Sequence, residues 1–231
     1  MRPRALFFDV FGTCVDWRTP VIRECEALGL RGVDWAAFAD AWRGRYQPQL
    51  ETVRSGRRAW TRLDVLHREA LDSILGDFGL DGVSAERRDQ LNLVWHRLDP
   101  WPDTVAGLAR LKSRYVVAPC SNGHIALMVD LARHAGLPWD VILGAEIARA
   151  YKPAPEVYLA SVDALGLTPR EVMMVAAHPS DLAAAAECGL ATAFVPRPAE
   201  HGPRGAAEPA PGREYDLVAA DFGELARVLD V

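Results

Sequence analysis

The chain has 231 residues, half of them apolar and a quarter charged, which excludes disorder, collagen and coiled coil as descriptions of the whole. A formal net charge of −5 has the wrong sign for sequence-independent binding to nucleic acid, although a local basic pocket for a small anion stays open. Four scattered cysteines (Cys14, Cys25, Cys120, Cys188) with no CxxC pair give no sign of a structural zinc site or a disulfide framework, and fit reduced thiols in a cytoplasmic protein.

In chain order, RALFFD (4–9) reads as a short buried strand ended by a carboxylate, with Gly12 as the turn residue behind it. The early arginines and apolar run resemble a signal start, but Asp9 breaks the run, and no apolar stretch approaches a membrane span. From about residue 19 to 98 helical periods dominate, in TPVIRECEALGL, VDWAAFADAWRGRY, RRAWTRLDVLHREALDSILGDFG and SAERRDQLNLVWHRL. Pro48 interrupts the second of these helices.

After Pro100 the text alternates. PDTVAGLARLK, IALMVDLARHAG, PEVYLASVDALG and DLAAAAECG are helical, the last with Gly189 as its stop. RYVVAPC, WDVILG, EVMMVAA and LATAFV are strands between them. Residues 196–213, with five Pro and three Gly, read as a surface loop, and YDLVAA and FGELARVL give a last strand and helix. Strands alternating with helices imply parallel pairing through right-handed crossovers. The expected fold is therefore α/β: a Rossmann-like parallel sheet (residues 1–15 plus 99–231) with an inserted α-helical cap (16–98).

In an open α/β sheet, ligands bind beyond the carboxyl ends of the strands. Asp9 and Thr13 follow the first strand, and Ser121 and Asn122 follow RYVVAPC. Lys152 follows a short helix after WDVILG, and His178, Ser180 and Asp181 follow EVMMVAA. A carboxylate, a hydroxyl, an amine and a second carboxylate from separate elements are thus expected in one crevice. Backbone N–H groups of the turn are expected to hold one Asp9 oxygen and leave the other free to attack a positioned carbon. Thr13 is expected to orient Asp9, and Lys152 to keep Asp9 and Asp181 ionised. Ser121 and Asn122 are expected to cap a helix and to offer donors to an anion. Asp181 or His178 is available to orient water. Trp17, Trp42 and Trp60 are expected in packing, and the cluster Arg54, Arg57, Arg58 as a solvated helix boundary.

FFDVFGT (7–13), CSNG (120–123), YKPAPEVY (151–158) and VAAHPSDL (175–182) together resemble the haloacid dehalogenase superfamily over essentially the whole chain, and in detail the type II L-2-haloacid dehalogenases. Superfamily phosphatases carry an Asp two residues after the nucleophile to protonate the leaving group. Here that residue is Phe11, as in dehalogenases, whose halide needs no proton. Arg43 in AWR (41–43) matches the family's substrate-binding arginine, with Arg45 as a rival, and Tyr158 also matches.

The resemblance implies hydrolysis of short (S)-2-haloalkanoic acids to (R)-2-hydroxy acids through an ester on Asp9; His178 adds fluoroacetate-type acids as a variant, since a compact hydrogen-bonding halide pocket would suit fluoride. Arg43 and Asn122 would take the halide, and Ser121 and Lys152 the carboxylate. It implies no cofactor, no metal, no nucleic-acid or membrane partner, and it allows a homodimer. The fourth motif departs from the family's Ser-Ser-Asn-x-x-Asp: Ala176-Ala177-His178 stand there while Asp181 keeps its place, and His178 is available to orient water, to contact halide or substrate, or to set a different specificity. A hydrolase of strained-ring carboxylates, a magnesium-dependent phosphatase using Asp9 and Asp181, and a non-enzymatic binding relative remain alternatives.

Overall fold

The computed structural model describes residues 3–202 and 215–231. Strand β1 (Ala5–Phe8) runs into a turn and the short β2 (Val15–Asp16). Helices α1 (Arg18–Glu26), α2 (Trp35–Gly44), α3 (Tyr46–Arg54), α4 (Leu63–Ile74) and α5 (Ala85–Asn92) follow. The chain then returns through β3 (Asp99–Pro100), antiparallel to β2. Alternation takes over with α6 (Thr104–Lys112), β4 (Val116–Ser121), α7 (Ile125–Ala135), β5 (Leu143–Gly144), α8 (Ala145–Ala148) and α9 (Pro155–Ala164). It ends with β6 (Val172–Ala176), α10 (Pro179–Glu187), β7 (Ala191–Phe194), β8 (Leu217–Val218) and α11 (Phe222–Val228).

Among the described residues, six strands form one sheet in the order β5-β4-β1-β6-β7-β8, every pairing parallel. Both faces are covered, which is why these strands read as continuous apolar runs rather than as alternations. Leu6, Phe8, Val117 and Val175 point to the side of α6, α7 and α11, where Phe8 meets Phe222 edge-on at 5.4 Å. Phe7, Ala118, Met174 and Ala176 point to the other side, against Val157 and Tyr158 of α9 and Leu182 and Ala185 of α10. β1 lies at the centre, in register with β4 and β6 (Phe8 beside Pro119 and Val175), so the three strand ends open onto one crevice.

The helical segment has its own apolar seam. Asp34 caps α2 by accepting the Ala37 N–H at 2.9 Å. Phe38 packs edge-on against Phe78 at 5.1 Å, and Trp42 donates its indole N–H to the His67 carbonyl at 2.9 Å, fastening α2 to α4. The break expected at Pro48 falls at Arg45, because proline is tolerated in the first turn of the next helix, α3. Trp17 and Trp42 are buried in packing, as expected.

Two strand expectations shorten. WDVILG pairs only at Leu143–Gly144, because the Asp140 carboxylate takes the Val117 N–H at 2.9 Å where a strand carbonyl would otherwise accept. YDLVAA pairs only at Leu217–Val218. Gly189 sits just past α10 with φ of +86°, a left-handed stop that suits glycine. Of the expected loop 196–213, residues 203–214 lie outside the described residues. Among the described residues, no helix is long and apolar enough to cross a membrane.

Candidate active site

Asp9 is the first residue beyond β1. Its N–H still bonds to the Val175 carbonyl at 3.0 Å, so its carboxylate emerges at the carboxyl end of the sheet. Thr13 donates to Asp9 Oδ2 at 2.8 Å and accepts the Ala177 N–H at 2.9 Å, clamping the turn to the end of β6. The turn's own carbonyls are held from outside. Trp101 donates to Gly12 O, Arg197 to Thr13 O and Thr104 to Cys14 O, at 2.9, 2.9 and 2.8 Å. Arg197 is itself fixed by a two-pronged bond to Asp103 (2.7 and 2.9 Å).

Lys152 lies between two carboxylates, with Nζ 2.9 Å from Asp9 Oδ1 and 2.5 Å from Asp181 Oδ2. Its backbone N–H donates to Asn122 Oδ1 at 2.8 Å, and Tyr158 donates its hydroxyl to Asp181 Oδ1 at 2.5 Å. The four expected elements therefore converge. Burial raises the Asp9 carboxyl, but Lys152 and His178 outweigh burial and hold it well below the usual carboxylate range. Burial also opposes the Lys152 charge, yet Asp181 and Asp9 raise that ammonium well above its usual value. Asp181 is raised by burial and by the Asp9 charge, with Lys152 opposing.

The partners of the Asp9 carboxylate among the described residues are side chains, not the expected backbone N–H groups. Oδ2 takes Thr13 and His178, while Oδ1 takes Lys152 alone. His178 is a bridge: Nδ1 is 2.9 Å from Asp9, and Nε2 is 3.0 Å from Glu200 Oε2. Burial opposes its charge, but the bonds to Asp9 and Glu200 raise the imidazole to about 10, so the resting ring is an imidazolium.

Glu200 went unnoticed in the sequence because it falls in the Pro/Gly-rich stretch expected at the surface; it is 5% exposed. Trp17 holds it through its indole N–H at 3.1 Å. Gly12, with φ of +86°, leaves room for it: a Cβ there would collide with the Glu200 carboxylate.

The crevice is a cavity of about 650 Å³ lined by Asp9, Phe11, Arg43, Lys152, His178 and Asp181, among others. Arg43, at the end of α2, lies over the Tyr46 ring at 4.1 Å and the Trp17 ring at 5.4 Å. Its Nη1 is buried with no hydrogen-bond partner among the described residues. The rival Arg45 is not on the cavity wall. Phe11 packs edge-on between His67 and Trp95, at 6.5 and 6.3 Å. His67 was also missed; it stacks on Trp95 at 4.3 Å, and burial and Arg43 push it down to about 3, so it stays neutral.

Three further expectations change. Ser121 and Asn122 do not cap α7, whose N-cap is His124. The Ser121 hydroxyl accepts the Gly123 N–H at 3.3 Å and is absent from the cavity wall, whereas Asn122 lines it and donates to the Tyr46 hydroxyl at 2.9 Å. Arg54 is no solvated boundary residue: it lines the cavity and reaches from α3 to the Lys152 carbonyl at 2.8 Å. Helical periodicity could not show this, because the arginine is held by an ion pair to Glu51 on its own helix (3.0 Å).

The donor set does not fit a divalent metal. Asp9 and Asp181 already share an ammonium, and Asp9 and Glu200 share an imidazolium. A metal would have to displace a protein cation from each pair.

The proton on His178 links the site to stability. A group whose pKa rises from 6.5 to about 10 on folding contributes fully below 6.5 and loses that contribution as pH rises through 10. Urea unfolding midpoints of the parent chain and His178→Gln should therefore converge between pH 7 and 10. A difference that stays constant would show that the ring carries no extra proton.

The haloacid dehalogenase-like hydrolase family profile matches residues 3–189. The (S)-2-haloacid dehalogenase 4A of Burkholderia cepacia is 30% identical over 197 residues, covering 84% of this chain and 83% of that protein. The crystal structure of a defluorinating L-2-haloacid dehalogenase superposes with a TM-score of 0.96 at 47% identity, over 99% of this chain and 96% of the other. A second L-2-haloacid dehalogenase crystal structure gives a TM-score of 0.94 at 46% identity, covering 99% of both chains.

Proposed function

The chain belongs to the haloacid dehalogenase-like hydrolases, and we propose that it hydrolyses the carbon–halogen bond of short (S)-2-haloalkanoic acids, fluoroacetate-type acids included, to (R)-2-hydroxy acids. The observation that carries this reading is an ionised Asp9 in a cavity whose Phe11 cannot protonate a leaving group. We take residues 16–98 as the cap and 1–15 with 99–231 as the core.

In the first step Asp9 Oδ1, the oxygen with the single partner, attacks C2 of the acid. The new C–O bond forms as the C–halogen bond breaks, the carbon inverts, and the halide leaves with the bonding pair. Arg43 Nη1, a buried donor with no partner, receives the anion together with Asn122. Lys152 has one N–H left for the substrate carboxylate after serving Asp9 and Asp181. Ser121 shapes the turn beside the cavity by accepting the Gly123 N–H.

Esterification removes one of the two anions that hold the proton on His178. The ring then gives up that proton at the stage where a base is needed. Neutral His178 takes a proton from water through Nδ1 while Glu200 stabilises the ring at Nε2. The water oxygen adds to the ester carbonyl carbon, and the carbonyl C–O bond to the hydroxy acid breaks. His178 returns the proton to the departing alkoxide, and the regenerated Asp9 carboxyl ionises back onto His178. One proton and one halide leave per turnover.

The test is halide release from (S)- and (R)-2-chloropropionate, 2-bromopropionate and fluoroacetate, with a chelator present. Release from the (S)-acids and fluoroacetate supports the reading. Magnesium-dependent hydrolysis of p-nitrophenyl phosphate without halide release overturns it. Arg43→Met should lower kcat/KM about 10–100-fold, the worth of a hydrogen bond to a charged group. The loss should be larger for fluoroacetate than for bromopropionate, because fluoride is the stronger acceptor. Equal losses would remove Arg43 from the leaving-group position.

A further inference from the structure

A second cluster of titratable side chains lies outside the catalytic cavity, where the helical segment meets the sheet domain. Asp64 stands in the first turn of α4, His96 closes the turn Leu93–His96 before the chain returns to β3, and His124 directly precedes α7. None of the three lines the catalytic cavity. His96 Nε2 is 3.1 Å from Asp64, and His124 Nε2 is 3.3 Å from Asp64 Oδ2. One ligand atom from each of the three lies within 4.8 Å of the others.

Two ligands held about 2.0–2.1 Å from a tetrahedral ion stand about 3.3 Å apart, so these separations need little adjustment to hold one. The outer contacts fit as well. His96 Nδ1 faces Asp130 Oδ2 at 2.9 Å, the carboxylate–histidine pairing that fixes which ring nitrogen is free to ligate. His124 Nδ1 is buried without a partner, so the polar contact of that ring is the one to Asp64. Without an ion, two imidazoles turn Nε2 toward one carboxylate while His96 faces carboxylates from both sides. A cation at the centre would take the place of the protons that these contacts share. Asp64 is 30% exposed, which leaves an entry path.

We propose that Asp64, His96 and His124 form a site for a borderline transition metal such as zinc(II), which ties the helical segment to the sheet domain. Two imidazoles and one carboxylate suit zinc, whereas magnesium and calcium call for oxygen donors. No sequence pattern points to it, because the absence of cysteine pairs says nothing about a His/Asp site assembled from three elements. The site stands independently of the dehalogenase reading.

The experiment uses the full chain stripped with a chelator and then given zinc chloride alone or magnesium chloride alone. Zinc at a hundredfold excess over its Kd should raise the thermal unfolding midpoint by about 5–10 °C. Magnesium should not. The zinc shift should vanish in His124→Gln and in Asp64→Asn, while both variants keep the far-UV circular dichroism of the parent in the absence of zinc. Cobalt(II) gives a second readout that does not depend on stability: a visible absorption band at one metal per chain in the parent, lost in His124→Gln. If Asp64→Asn fails to fold, the cobalt spectra of the parent and His124→Gln decide. No zinc shift and no cobalt band, or a shift and band that survive the substitutions, would overturn the proposal.

Discussion

Asp9→Asn should lower halide release by at least about 10⁴-fold, because the amide oxygen cannot form the ester on which both half-reactions depend. The substitution is nearly isosteric, and the one retained oxygen can still accept from Lys152 at the Oδ1 position while the amide group faces Thr13 and His178, so the fold should survive and the loss should be mainly chemical. Two cations, Lys152 and His178, lose an anionic partner, and some thermal stability should go with it. The informative comparison is therefore activity against the unfolding midpoint. A folded variant with no halide release supports Asp9 as the nucleophile. A folded variant within tenfold of the parent would mean that water attacks C2 directly.

His178→Ala should separate the two halves of the reaction. Alkylation of Asp9 needs no base, so one halide per chain should appear rapidly, and the intact mass should rise by one substrate-derived group. Release of the hydroxy acid should then be slower by about 10²–10⁴-fold, the usual worth of a positioned base. Ala176 and Ala177 carry no hydroxyl that could stand in for the ring. Glu200→Gln should give a milder version of the same pattern, because the ring remains but loses the anion that stabilises its charged form. A His178→Ala chain with neither the burst nor the adduct would move His178 from the second half-reaction to the first.

The parts that could be read from the sequence are those tied to strand ends. A buried strand in a parallel sheet is a continuous apolar run, and the first polar residue after it lies at the sheet's carboxyl edge. Asp9 could be placed at the crevice for that reason; Lys152, beyond a short helix after its strand, and Asp181, in the first turn of the helix after β6, joined it as the charged residues in the connections that leave the same sheet edge. Arg43 was readable only through the preceding Trp42 and the family resemblance, since helical periodicity does not distinguish it from Arg45, just past the end of α2. Glu200 was hidden because its burial is made elsewhere, by the missing Cβ of Gly12 and the Trp17 indole. A stretch rich in Pro and Gly looks like surface whether or not one of its residues turns inward. Arg54 was misjudged because the sequence of α3 does not show that its side chain spans to the Lys152 carbonyl. The expected backbone donors to Asp9 were a generic idea of a strand-end turn; Thr13, His178 and Lys152 do that work here.

The departure at His178 now has a physical account. Where the resemblance leads one to expect an amide and hydroxyls, this chain has an imidazole between two carboxylates, and the second carboxylate comes from a distant loop. In the proposed mechanism this pair supplies the base for water, and its readiness depends on whether Asp9 is free or esterified. The same arrangement keeps Asp9 hydrogen-bonded and ionised.

The most direct test of the whole account is a single turnover of (S)-2-chloropropionate in ¹⁸O-water with enzyme in excess. Attack by Asp9 predicts that the heavy oxygen appears in the peptide containing Asp9 and that the first hydroxy acid formed is unlabelled. Label in that first hydroxy acid, with none on Asp9, would contradict it.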